Sequence, residues 1–127
     1  MPPEDRDIAL LWDMREAARD ISEFMQGMTF FHFNSNKMLR YAVERQLVVI
    51  GEAANHVSGT FKKAHPEIPW KSIIGQRNVL AHEYGEILVE RIWLVATERI
   101  PELLQLLDPL IPPPPSTESD ETLKISL

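Results

Sequence analysis

The sequence predicts an all-α protein: an antiparallel bundle of four to five helices followed by a proline-rich tail. Three observations carry this. Apolar residues recur at three- and four-residue spacing along most of the chain. Alternation of β-branched residues, the mark of a half-buried strand, is absent over any useful length. Glycine is scarce, at 5 of 127 residues, while 44% of the chain is hydrophobic and 25% charged, which suits one domain with one core.

The first helix is predicted from about Asp5 to Met28. Ile8, Leu11, Ala18, Ile21, Met25 and Met28 share one face, and Leu10, Met14, Ala17 and Phe24 widen the stripe. Gly27 weakens its end. Thr29 to Asn34 reads as a connection whose aromatics, Phe30, Phe31 and Phe33, are buried. A second helix starts at Ser35 or Asn36, both good N-cap residues. It presents Leu39, Val43, Leu47, Ile50, Ala54 and Val57 inward, with Gly59 near its end. Phe61 to Pro66 is a connector with room for a short helical turn.

Ile68-Pro69-Trp70 opens a third helix, because proline suits a first turn. Trp70, Ile73, Ile74 and Leu80 face the core, and Gly85 breaks the run after Tyr84. The fourth helix runs from about Glu86 to Leu107, with Leu88, Ile92, Ala96, Leu103 and Leu107 inward. Pro101 must bend it or replace one turn. The bundle therefore occupies 1–108. The remainder, 109–127, is a tail: Ile111-Pro-Pro-Pro-Pro115 cannot continue a helix, and Ser116 to Thr122 is polar and acidic. Its composition predicts a semi-rigid polyproline piece and then a flexible end.

Composition also excludes function classes. There are no cysteines, so disulfide scaffolds and thiolate metal sites are out. His32, His56 and His65 show no ligand spacing among themselves, and His82-Glu83 lacks the second histidine of a zinc-binding HExxH, so no metal or other cofactor is expected. The N-terminus has no secretory pattern, and no apolar run approaches the roughly 20 residues of a membrane span. The expectation is a cytoplasmic protein without membrane contact. A net charge of −6 means that any role on RNA or DNA needs a local basic site.

The stretch Arg77-Asn-Val-Leu-Ala-His-Glu-Tyr84, at the end of the third helix, carries the candidate chemistry. Asn78 and His82 are four apart and stack on one face. Arg77 and His82 are offset by roughly 140° and meet across a helical edge. Arg77 interrupts the otherwise largely apolar row Trp70, Ile74, Ala81, Tyr84, and Gly75 clears space one turn before Asn78. Glu52, in the apolar run Val48 to Ala54, either contacts Arg77 or lines a cleft beside it, or faces solvent at a helix edge. Trp12, Trp70 and Trp93 read as core or interface residues rather than stacking platforms.

Histidine can move a proton to or from a ribose hydroxyl, and arginine grips phosphate and stabilises charge that grows in the transition state. Such a pair suffices for metal-independent RNA transesterification. An arginine and a histidine at a helix end can equally serve the last carbonyls and the helix dipole. Spacing leaves both readings open.

Pro66-Glu-Ile-Pro-Trp70, Ile73-Ile-Gly75 and Arg77-Asn-Val-Leu-Ala-His-Glu-Tyr84 together resemble the HepT toxins of the HEPN superfamily. Ile50-Gly-Glu-Ala53 upstream and Trp93 downstream fit the same pattern, and the similarity covers about Asp5 to Leu107. The resemblance implies a HEPN-like bundle acting as a homodimer, with the two motifs facing each other across a cleft. It implies a metal-independent endoribonuclease in a toxin–antitoxin pair. Arg77 and His82 match the catalytic positions and Asn78 their polar neighbour. Tyr84 matches the tyrosine that an MntA-like minimal nucleotidyltransferase antitoxin modifies with AMP, a change that would fill the cleft and repel RNA. A non-catalytic dimerisation or nucleotide- and partner-binding module is the competing reading.

Overall fold

In the computed structural model, residues 3–82 and 89–113 are described, and among them every regular element is helical. Helix α1 (Pro3–Met25) supplies the centre of the core: Leu11, Met14, Ala18 and Ile21 are fully buried. It stops short of Met28 because Gly27 takes φ +73°, a left-handed conformation that closes helices and suits glycine.

The stretch predicted as a connection is a short helix, α2 (Phe30–Ser35), capped by the Thr29 side chain accepting from the His32 N–H. Of its three aromatics only Phe33 is fully buried. Phe30 is half-buried against Trp93, and Phe31 is 74% exposed. A single helical turn has one inward face, so three neighbouring rings cannot all point to the core. Met28, expected in the core stripe, is exposed, and Trp12 is 49% exposed on α1 rather than buried.

Helix α3 (Lys37–His56) begins where Asn36 caps it, its Oδ1 accepting from the Leu39 N–H at 3.0 Å. Val43, Leu47, Ile50, Ala53 and Ala54 are buried in the core, and α1 packs along this helix. The connector contains helix α4 (Gly59–Ala64). Asp7, buried on α1, accepts from the Ser58 N–H at 2.9 Å and from the Ser58 hydroxyl at 2.7 Å. That hydroxyl oxygen in turn caps α4 at the Phe61 N–H. One carboxylate therefore fastens the start of α1 to the α3–α4 junction.

Helix α5 (Trp70–His82) packs on α3. Helix α6 (Val89–Leu94) passes through a π turn at Val95–Arg99 into α7 (Ile100–Leu107), which lies on α1. The π turn is how the helix absorbs Pro101. A proline lacks the N–H that would bond four residues back, and its ring crowds that carbonyl. Widening the ladder, so that the Ile100 N–H reaches the Val95 carbonyl, sets the strain at one turn while the helix continues. A 3-10 turn at Asp108–Leu110 follows, with Asp108 within 4.0 Å of Arg15 and 3.9 Å of Arg19, and Ile111 is buried. Glu86 to Leu88, the predicted start of this last helix, and the tail from Pro114 onward lie outside the described residues.

Candidate functional site

The site is built where α5 crosses α3. Helix α5 starts fixed at its N-terminus: Trp70 is buried, its Nε1–H donates to the His65 carbonyl at 3.0 Å, and Phe61 meets its ring edge-on. Since α4 follows the C-terminal end of α3, α5 runs back along α3 from that end. Two turns on, Arg77 lies against Gly51.

That contact is unusually close. A Cβ at position 51 would stand 2.1 Å from Arg77 Cβ, 2.7 Å from its Cγ and 3.2 Å from the Ile73 carbonyl oxygen. No side chain fits there, so Gly51 is what lets the α5 backbone approach and sets the root of the Arg77 side chain. Gly75, expected to clear space, meets nothing within 4 Å and faces outward, so it relieves no crowding among the described residues.

From this root the guanidinium reaches the surface with 29% of the side chain exposed. Its Nη1 donates to Asn78 Oδ1 at 2.9 Å, and its Nη2 donates to Glu52 Oε1 at 3.3 Å. The Nε is buried and has no hydrogen-bond partner among the described residues. Glu52 thus makes the Arg77 contact, from a carboxylate that is itself half exposed. Such an ion pair orients the arginine more than it stabilises the fold, because solvent screens it. A guanidinium held by two acceptors at a surface can exchange the carboxylate for a phosphate oxygen, which makes the same bidentate match.

The structure therefore brings Arg77, Asn78 and Glu52 together. His82 closes α5 in the same continuous helix, five residues and roughly 7.5 Å along the axis from Arg77. The His82 side chain and all of Tyr84 lie outside the described residues. Gly51 is the residue of this candidate site that spacing arguments missed. Its signals were its place as an isolated glycine inside a strongly helical apolar run and within the Ile50-Gly-Glu-Ala53 stretch of the resemblance.

Two grooves flank the α3–α5 region, and Arg77 lines neither. A groove of about 910 Å³ lies between α5 and α6–α7, lined by Ile73, Gly75, Gln76, Leu80, Leu94 and Leu106 among others, and does not include Arg77. A shallower one of about 450 Å³ between α1 and α3 includes Glu52 together with Asp13, Glu16 and Asp20. Among the described residues no group of three His, Asp or Glu side chains is placed to hold a metal ion, and no helix is long and apolar enough to cross a membrane.

Comparison with known proteins decides the family. Residues 14–110 match the family described as Ribonuclease HepT-like. The chain belongs to that family. A protein of Methanocaldococcus jannaschii carrying an RNase name is 39% identical over 99 residues, covering 77% of this chain and 91% of the relative. A protein of Thermococcus cleftensis carrying the name ribonuclease HepT is 39% identical over 93 residues, covering 73% of this chain and 84% of its own length. A second M. jannaschii protein with an RNase name is 36% identical over 107 residues, 84% of this chain and 88% of the relative. No solved structure matches the chain.

Proposed function

We propose that this HepT-like chain is a metal-independent endoribonuclease toxin that works as a homodimer and is silenced when a partner nucleotidyltransferase of the MntA kind attaches AMP to Tyr84. The observation that carries the reading is Arg77: a guanidinium seated over Gly51 and presented at the surface by Glu52 and Asn78. Family membership and the ribonuclease names of its relatives support the activity. The partial exposure of the Arg77 guanidinium among the described residues suits a site completed by a second copy, in which two arginines face one phosphodiester.

In this mechanism the ribose 2′-hydroxyl attacks the adjacent phosphorus as its P–O5′ bond breaks. The products are a 2′,3′-cyclic phosphate and a 5′-hydroxyl end. Arg77 binds the non-bridging oxygens and stabilises the charge that builds on them. His82 removes the 2′-proton or delivers one to the leaving oxygen. Asn78 holds the guanidinium in plane. AMP on Tyr84, two residues beyond His82, adds bulk and negative charge where RNA must enter.

Cleavage of RNA with chelator present, leaving cyclic phosphate ends, is the expected result. Arg77→Ala and His82→Ala should each lower kcat/KM by about 10²–10³ or more, with the helical content and melting temperature of Arg77→Ala nearly unchanged. Full cleavage and full growth inhibition by both variants would remove the site assignment. Intact mass after co-expression with the nucleotidyltransferase tests the switch: a neutralised toxin with unmodified Tyr84 would mean inhibition by binding alone.

A further inference from the structure

From Phe24 to Val43 the chain contains no Asp or Glu, although 19 acidic residues occupy the rest of it. This acid-free stretch holds Lys37 and Arg40 and opens α3. On α3 it begins a surface row. At 100° per residue, Lys37, Met38, Tyr41, Arg45 and Val48 fall within about 60° of the direction of Glu52. Met38 is 83% exposed and Tyr41 59% exposed, and Lys37 and Arg45 are exposed and make no ion pair among the described residues. Val48 is half-buried. The row therefore runs for roughly 22 Å along α3, at 1.5 Å per residue, and ends at the Glu52–Arg77 pair.

Its flanks differ in charge. On the α1 side lies the groove lined by Asp13, Glu16, Asp20 and Glu52, which repels phosphate. On the α5 side Glu44 is partly buried, and burial raises its pKa against the attraction of Arg40. The Arg40 guanidinium is turned to the Asn34 carbonyl. Free cations and an exposed phenol ring thus form a lane beside an acidic wall.

We propose that this row, Lys37, Met38, Tyr41 and Arg45, is a binding track for single-stranded RNA that leads to Arg77. The proposal rests on the ribonuclease reading for its direction, and on the row itself for its chemistry. Lys37 and Arg45 meet backbone phosphates, while a base stacks on Tyr41 with Met38 beside it, the pairing of cations with an aromatic platform that sequence-tolerant single-strand binding uses. The local cations also resolve how a chain of net charge −6 can hold RNA.

The test uses the full chain and two probes. A 2′-O-methylated oligouridine of about 12 nucleotides, which cannot be cleaved, reports binding by fluorescence anisotropy. A dinucleotide, too short to reach the track from Arg77, reports cleavage. Tyr41→Ala and the charge reversal Arg45→Glu should each weaken oligonucleotide binding about tenfold, Tyr41→Phe should retain it, and dinucleotide cleavage should stay within twofold. Binding should also fall with added salt, less steeply in Arg45→Glu. Unchanged binding in both variants overturns the track. So does a fall in molar mass by light scattering on Tyr41→Ala, which would make the row a contact between two copies. If the wild type binds the methylated oligonucleotide but cleaves neither the dinucleotide nor the unmethylated oligouridine, the ribonuclease reading fails and the track stands.

Discussion

The two faces of α3 are finished differently. Toward α1 the contact is closed: Leu11, Met14, Ala18 and Ile21 are fully buried against residues such as Val43 and Ala54. Toward α5 it is partial. Ile73, Ile74 and Leu80 are half-buried, and only Trp70 is buried among the described side chains of that helix. The closed face holds the bundle together. The open face carries the arginine, and the packing around it is correspondingly thinner; on the proposed reading a group that meets a phosphate needs that solvent access. Gly51 reconciles the two demands: it lets α5 come close at one point without burying the guanidinium.

The largest test of this contrast is a pair of truncations. Ile21→Ala should cost about 2–5 kcal/mol in urea unfolding, the range for a fully enclosed aliphatic side chain. Ile74→Ala, at a side chain only partly buried, should cost less than half as much. Equal losses would mean that α5 is as firmly packed as α1. Next comes Gly51→Ala. Its added methyl meets Arg77 Cβ, an atom close to the backbone, so the helices must part at a cost of about 1–3 kcal/mol. Because Arg77 moves with them, kcat should fall more than the stability loss explains at temperatures where the variant remains folded. An alanine variant with full stability and full cleavage would show that the close approach is incidental.

The smallest effect concerns Glu44. Its folded-state pKa is raised by burial, so the folded protein holds this proton more tightly than the unfolded chain does. Stability is therefore reduced above the folded pKa, and the loss disappears as pH falls below the ordinary carboxylate value. Glu44→Gln should raise the melting temperature slightly at neutral pH, by less than about 0.5 kcal/mol in stability terms. The advantage should vanish in acid. An advantage that instead grows on acidification would reverse the assignment.

Much of the fold was legible in the residues. Periodicity marked the long helices, and Asn36 was readable as a cap because its side chain can satisfy an orphan N–H. Pro101 announced an irregular turn. What failed was short-range burial. Phe31 carries the same hydrophobic weight as Phe33 in sequence, yet is exposed because it occupies the opposite side of one helical turn. At the site, the Arg77-x4-His82 spacing was visible, but spacing within one helix does not say which neighbouring helix meets it.

By itself, then, the sequence determined the helical class, the main helix faces and the polar set at the end of α5, because each depends on periodicity and side-chain chemistry within one segment. Only the tertiary structure decided that Arg77 is seated on Gly51, that Glu52 is its partner across 25 positions, and that the row from Lys37 to Arg45 leads to it. These depend on how closely and in which direction α5 crosses α3, and that crossing is set by the summed packing of both helices rather than by either one.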